Sequence, residues 1–322
     1  MTRVLAHLDG VTRQVDRVDP AWLSPESGAT IWVDLVNATD EEVKAVLAGE
    51  FHFHELTVED AISALQYPKV ESYGSYVYLI MHRIDFEGAE HCFKTHDVDF
   101  FLGRNYVVTI HTGESRSLQH IGEVCSRNPR ALGEGAAALL HRIIDAMVDN
   151  YRPEIEEFTD RLDELEEKVF EGSSPILTRD ILNLKKDVAS LRRVVQPQRD
   201  VVGRLARREF ALIDEAVAYR FRDVHDHLIR IADESMLFQD RITGLLDANL
   251  AIVSNQLNSI MKVLTILSTL FLPLTVLTGM WGMNVELPHL PGGEPVQFWW
   301  VVVMMIAVSS GLLLFFRRRG WL

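Results

Sequence analysis

The spacing of apolar and polar residues divides this chain of 322 residues into three parts. In the first part, short apolar runs alternate with polar positions, which is typical of strands and short helices. From about residue 130 onward, apolar residues recur at steps of three and four, as they do on one face of a long helix. Two long apolar runs follow near the end of the chain. The pattern predicts an α+β membrane protein, in which an N-terminal α/β domain leads into long helices and two membrane spans.

The N-terminal part contains clear turn and cap signals. Asp9-Gly10 separates two apolar runs and predicts a two-residue β-hairpin. Thr39 stands where a helix cap is expected, and Asn105 interrupts a long strand-like run, which predicts a second hairpin. We therefore expect strands at 4–8, 11–18, 30–36, 76–86 and 98–111, and helices at 39–47 and 55–65.

The middle of the chain predicts an antiparallel hairpin of two oppositely charged helices. The stretch 154–171 carries nine acidic residues against two basic ones, and the stretch 179–208 carries nine basic residues against three acidic ones. Gly172-Ser173-Ser174-Pro175 separates them as a turn. Solvated helix faces explain such charge runs more often than binding does.

A third helix is predicted from about Glu215 into the first long apolar run. If it is continuous, its 65 or so residues span about 100 Å at 1.5 Å per residue. Its apolar stripe alternates steps of three and four, so the stripe predicts association with other helices. The stripe consists of Val217, Phe221, Val224, Leu228, Ile231, Ser235, Phe238, Ile242, Leu245, Asn249, Ile252 and Gln256.

The two long apolar runs, at about 263–280 and 298–316, predict membrane spans. Neither contains a charged residue, and each has roughly the twenty residues that a hydrocarbon core of about 30 Å requires. Lys262 and Arg317-Arg318-Arg319 flank the pair, whereas the connecting loop has no Lys or Arg. We therefore expect a multi-pass protein of the inner or plasma membrane, with the loop outside, both termini in the cytoplasm and no signal peptide.

Five of the seven residues on one face of the first span are polar or small. Alternating steps of three and four place its seven members on one side of the helix, where hydroxyl and amide groups in contact with lipid would be costly. Packing between membrane helices and a water-filled path both explain this face. A path requires several copies of the chain, because two spans cannot enclose a pore. The face consists of Asn258, Met261, Thr265, Ser268, Leu272, Thr275 and Gly279.

Charge and motif content restrict the function further. Acidic residues exceed basic ones by 46 − 32 = 14, which argues against a nucleic-acid partner and favours cations. The sequence has no nucleotide-binding loop, no cysteine-rich metal site and no evident nucleophile–base arrangement. We therefore expect a protein that is not an enzyme, that has no cofactor, and whose partners are the bilayer, divalent cations and other copies of itself.

Several segments together resemble the CorA family of magnesium and cobalt channels. Gly282-Met283-Asn284 follows the first span, the basic tail 317–322 follows the second, and the segments 258–265 and 273–275 lie within the first helix. Upstream, the segments 56–60, 67–71 and 221–227 also look like CorA. The resemblance covers nearly the whole chain. It implies a homopentamer with a cytoplasmic funnel and an influx of magnesium, and also of cobalt or nickel.

The resemblance also implies roles for individual pore residues. Gly282, Met283, Asn284 and Glu286 match the selectivity filter, where a ring of Asn284 carbonyls would hold the hydrated ion. Capping of the helix is the simpler role that Asn284 could have instead. Asn258 and Thr275 match polar pore positions, and Met261 and Leu272 match hydrophobic constrictions that gate by dewetting.

A cytoplasmic cation sensor is implied in the same way. Asp60 and Asp223 match an acidic pair between neighbouring subunits, and Glu59, Asp145 and Asp149 match nearby positions. Magnesium bound there would neutralise the carboxylates and hold the ring closed, so it would be a regulatory ligand as well as the substrate. Solvated helix faces are the simpler reading of these acids.

Two other functions remain open at this point. A ZntB-like zinc transporter shares the Gly-Met-Asn motif, and a coiled-coil scaffold without a pore would explain the helical stripes.

The predicted layout is an α/β domain at 1–130, a helical hairpin at 131–212, a funnel helix at 213–281 with its span from about 262, an outer loop at 282–297, a second span at 298–316 and a basic cytoplasmic tail at 317–322.

Overall fold

The computed structural model describes residues 2–63, 66–87, 92–172, 175–283 and 294–321. It contains two compact units, Met1–Leu246 and Asp247–Leu322. The first unit combines a sheet with helices on both of its faces, and the second contains two long apolar helices. The predicted fold class, an N-terminal α/β domain followed by a long helix and two apolar helices, is confirmed.

Seven strands form one mixed sheet within the described part of the chain. Its order is β2-β1-β3-β7-β6-β5-β4, and β3 pairs with β7 in parallel while the other neighbours are antiparallel. The strands are β1 (Thr2–Leu8), β2 (Val11–Val15), β3 (Thr30–Val36), β4 (Lys69–Ser72), β5 (Val77–Glu87), β6 (Cys92–Leu102) and β7 (Tyr106–His111).

Both predicted hairpins are present. Asp9 and Gly10 have φ values of 52° and 79°, the left-handed conformation that a two-residue turn requires between the paired residues Leu8 and Val11. Asn105 separates β6 from β7, and its side-chain amide donates to the carbonyl of Trp22 at 2.8 Å. β6 begins at Cys92, earlier than the predicted residue 98, because its ladder with β5 extends past the apolar residues that marked it in the sequence.

One face of the sheet is covered by α1 (Asp40–Lys44), a following π-helical turn (Ala45–Glu50) and α2 (Glu55–Ile62). Thr39 caps α1 through a reciprocal capping box with Glu42. The apolar side chains of these helices pack into one cluster with those of the strands, which fixes α2 against the sheet. α2 ends at Ile62, before the predicted residue 65.

The other face is covered by α3 (Arg116–Arg127), α4 (Pro129–Gly133) and α5 (Ala136–Asp149). α3 and α4 lie against β1 and β2, and α5 crosses β5, β6 and β7. The helical part therefore begins at Arg116, inside the segment assigned to the α/β domain from sequence.

The charged hairpin consists of α6 (Tyr151–Glu171) and α7 (Pro175–Ala206). Gln198 and Tyr151 attach it to the sheet: the Gln198 side-chain oxygen accepts from the His82 backbone N–H at 3.2 Å, and the Tyr151 hydroxyl donates to the His82 carbonyl at 2.9 Å. Arg161 of α6 pairs with Asp187 of α7 at 3.1 Å. The opposite charges of the arms thus meet in part and are not only solvated.

The helix α8 (Glu215–Trp281) begins at the predicted residue. The part of its apolar stripe up to Leu245 is buried inside the chain. Phe238 packs edge-on against Phe158 of α6, and Arg241 bridges Asp163 and Glu166 at 2.6 and 2.9 Å. The stripe predicts association with other helices, and in this part of α8 those helices belong to the chain's own hairpin.

The second unit contains the end of α8 and α9 (Glu294–Arg318). Both helices are long and apolar enough to cross a membrane, and almost none of their apolar windows is buried. Soluble core helices would be mostly buried, so the low burial favours membrane spans.

We predict that substitutions of two neighbouring leucines on α7 differ in their effect on stability, because the two side chains differ in burial. Leu184 is fully buried and Leu182 is 50% exposed. Leu184→Ala is expected to cost about 2–5 kcal/mol because it leaves a cavity, and Leu182→Ala only about 0.5 kcal/mol. Thermal unfolding of both variants in detergent, followed by circular dichroism, checks this. Equal melting temperatures for the two variants would contradict the described packing.

Candidate ion pathway and cation sensor

The seven residues of the polar face on α8 are all exposed in the second unit. The opposite face of the helix contains the less exposed residues, among them Ile266, which is buried. On α9, Phe316 is buried as well. The buried residues of these two helix segments are thus apolar, and the polar face of α8 is open. Packing against α9, one of the two explanations of this face, does not account for it.

The hydroxyl groups on the polar face present oxygen atoms outward. The Thr265 hydroxyl donates to the carbonyl of Met261 at 2.7 Å, and the Thr275 hydroxyl donates to the carbonyl of Phe271 at 2.9 Å. Each hydroxyl proton is thus used within the helix, and the oxygen keeps its acceptor lone pairs. Acceptors of this kind suit the protons of water molecules around a cation.

α8 ends at Trp281, and the turn after it requires a small residue at Gly282. The Gly282 N–H donates to the carbonyl of Thr278 at 2.9 Å, and a Cβ built on Gly282 would lie 3.1 Å from the same oxygen. Met283 follows and is 57% exposed. Asn284 and Glu286, the other two expected filter residues, lie outside the described residues.

The basic tail contacts the first span through one hydrogen bond and the second span through ring stacking. Lys262 donates to the carbonyl of Gly320 at 3.1 Å, and Trp321 stacks on Phe316. Gly320 has a φ of 70°, and the Trp321 N–H reaches back to the Phe316 carbonyl at 2.9 Å, as in a Schellman cap. The ends of the two helices that carry the basic residues are therefore held side by side.

The expected sensor residue Asp60 is already paired with a cation. It lies on α2, and its carboxylate is 2.6 Å from the ammonium of Lys69 on β4. Both side chains are about 30% exposed. Glu59, beside it, is exposed. The sequence pattern does not reveal this ion pair, because the position of a residue on a strand does not indicate which helix residue lies beside it.

The remaining sensor candidates lie together on α5 and α8. Burial raises the pKa of Asp145, and the charges of Asp149 and Asp223 raise it further. Asp223 is exposed, with the imidazole of His227 at 4.0 Å from its carboxylate. Asp149 and Asp223 therefore both repel the Asp145 carboxylate, and His227 and Arg142 offset this repulsion in part.

The structure does not bring the two halves of the expected sensor together. Among the described residues, no three Asp, Glu, His or Cys side chains converge as a metal site. Asp60 pairs with Lys69, which also lies near Glu71, whereas Asp223 and Asp145 interact with each other. A site that used both halves would need a second copy of the chain.

A buried carboxyl group, which the sequence pattern did not predict, lies near Asp60. Asp99 is 6% exposed and accepts a hydrogen bond from the Tyr78 hydroxyl at 2.6 Å. Burial raises the pKa of Asp99 to about 7, against the lowering effect of this hydrogen bond. The alternation of apolar and polar residues along β6 did not indicate that Asp99 is buried. An acidic residue at an inward position looks the same in sequence as one at an outward position.

Comparison with known proteins identifies the family. Residues 27–318 match the family described as CorA-like Mg2+ transporter protein. The chain belongs to the CorA family. This confirms the resemblance drawn from the sequence, and it makes the chain a member of a transporter family rather than of an enzyme family.

Individual members of the CorA family agree with this assignment. The cobalt/magnesium transport protein CorA of Thermotoga maritima is 33% identical over 82% of this chain and 76% of its own length. Its namesake in Methanocaldococcus jannaschii is 26% identical over 93% of this chain and 94% of its own length.

The solved structures include a match to the whole fold. The complete structure of the CorA magnesium transporter from M. jannaschii has a TM-score of 0.86 at 23% identity and covers 100% of this chain and 99% of its own. Zinc transport protein ZntB of Photorhabdus laumondii, from the other branch considered, matches 50% of each chain at 32% identity.

We predict that Asp99 makes stability depend on pH. The folded protein binds this proton more tightly than the unfolded chain, in which an Asp has a pKa of 3.8, so stability falls as the pH rises from about 4 to about 7. Asp99→Asn keeps an acceptor for Tyr78 and removes the titration. Its melting temperature should therefore fall less than that of the wild type between pH 5 and 8. Asp16→Asn, at an exposed position, is the control, and equal slopes for all three proteins would refute the prediction.

Proposed function

We propose that the chain forms a homopentameric channel of the inner or plasma membrane that admits hydrated magnesium, and also cobalt and nickel, into the cytoplasm. Membership of the CorA family and the names of the relatives support transport of divalent cations. The main observation that supports a pore is the exposed polar face of α8. Because this face is exposed in the single chain, other copies of α8 or water would cover it.

The proposed pathway runs along this face to the Gly-Met-Asn turn. Magnesium releases its water reluctantly, so a pore passes it more easily with its water shell in place. Outward acceptors such as Thr265 and Thr275 would hydrogen-bond the waters. A ring of five Asn284 carbonyls at the mouth would select the hydrated ion, and Met261 and Leu272 would form dry constrictions.

The membrane potential supplies the proposed driving force. A divalent ion gains about 4.6 kcal/mol across 100 mV, which is twice the value for a single charge. With the basic tail and Lys262 in the cytoplasm, as the positive-inside rule requires, the Asn284 ring faces outward and influx is the favoured direction.

The proposed regulation uses carboxylates of neighbouring subunits. Asp60, with Glu59, would face Asp223, Asp145 and Asp149 of the adjacent copy. The repulsion among the acids on α5 and α8 supports this, because a divalent cation would relieve it. Magnesium bound between subunits would hold the ring closed, and its loss would let the subunits move.

We predict that Asn284 is required for uptake. Purified protein in proteoliposomes with an inside-negative potential should take up magnesium, and Asn284→Ala should abolish or strongly reduce this uptake because the waters lose their acceptors. Asn255→Ala, on α8 but outside the polar face, is the matched control and should leave uptake unchanged. Saturable zinc uptake without magnesium uptake would move the protein to the ZntB branch, and uptake of neither ion would favour the scaffold.

We further predict that the polar face, not hydroxyls in general, supports conduction. Thr275→Val keeps the side-chain shape and removes one acceptor, so uptake should fall roughly two- to tenfold, the value of one hydrogen bond. Thr278→Val removes a hydroxyl that is bound in the same way but points off the polar face, and it should have little effect. Equal losses in the two variants would show that the face has no special role.

A further inference from the structure

Lys69 forms an ion pair with Asp60, the carboxylate that the proposed sensor requires. Its ammonium lies 2.6 Å from one Asp60 oxygen, which is the distance of a strong charge-assisted hydrogen bond. The contact joins an edge strand, β4, to the helix α2 and connects residues nine positions apart. The Asp60 carboxylate thus already holds a cation within its own subunit.

Two further groups stabilise the ammonium near this position. The Glu71 carboxylate is 3.9 Å from it, and the ring of Tyr78 lies below it with 5.5 Å to the ring centroid. Glu71 is 46% exposed and accepts a hydrogen bond from the Tyr73 hydroxyl at 3.1 Å. A short rotation of the Lys69 side chain would therefore exchange one carboxylate partner for another without leaving the charge unpaired.

The Asp60 carboxylate can supply one ligand to a divalent cation. A carboxylate that attracts an ammonium provides the hard oxygen ligand that magnesium prefers. An ammonium and a magnesium ion cannot share this carboxylate without repulsion, since both are cations at contact distance. Binding of one must therefore displace the other.

We propose that Lys69 is a built-in competitor for the divalent cation at Asp60, and that it transfers to Glu71 when the cation binds. The proposal rests on the sensor role given to Asp60 above. Its consequence is that Lys69 sets the cation concentration at which the sensor responds. Without the lysine the site would fill at lower magnesium, and without Glu71 it would fill only at higher magnesium.

The test measures magnesium binding through stability, independently of transport. The melting temperature of the full-length protein in detergent is followed against magnesium chloride concentration, and the half-saturating concentration is compared between variants. Lys69→Met should lower this concentration roughly two- to fivefold, the value of a partly exposed ion pair. Glu71→Gln should raise it, and Lys69→Arg should stay near the wild type.

Control variants separate direct contact from general charge effects. Lys44→Met removes an exposed lysine of α1 and should not shift the half-saturating concentration. The measurement is repeated in 0.5 M potassium chloride, where interactions through solvent are largely screened. A Lys69→Met effect that persists there supports a contact, and one that disappears refutes competition at Asp60.

The outcomes also separate this proposal from the sensor itself. If magnesium does not raise the wild-type melting temperature, or if Asp60→Asn retains the full rise, the proposed sensor fails. If the wild type responds and Asp60→Asn does not, the sensor stands. In that case an unchanged or raised half-saturating concentration in Lys69→Met overturns the competitor role alone.

Discussion

The cost of placing polar groups in hydrocarbon constrains the whole membrane unit. α8 buries the apolar residue Ile266 on one side, and it leaves amide and hydroxyl groups exposed on the other. Lipid offers no hydrogen bonds to such a side. This is the physical reason for the proposal that several copies of the chain assemble around it.

Electrostatic repulsion constrains the first unit in a similar way. With 14 more acidic than basic residues, the chain cannot pair every carboxylate with a basic side chain of its own. Some are paired internally, as Asp60 is with Lys69. Others, such as Asp145, lie beside further acids and have a raised pKa. These two arrangements are the basis of the sensor proposed for this member of the CorA family.

The local pattern predicted most of the secondary structure because its signals are local. The turn at Asp9-Gly10, the Thr39 cap and the start of α8 at Glu215 each depend on residues within a few positions. The helix α3 was missed, because its apolar residues are few and the stretch is mostly polar. The early start of β6 was missed for a related reason, since pairing with β5 extends a strand beyond its own propensity.

The sequence by itself determined the three-part order of the chain, the two apolar spans and the polar face of α8. Each of these follows from periodicity along one element. Only the tertiary structure decided that α9 avoids this polar face, that the stripe of α8 up to Leu245 packs on the hairpin arms, and that Lys69 lies against Asp60. Those facts depend on which surfaces meet across distant parts of the chain. A linear pattern specifies the faces of an element but not the partner that each face will contact.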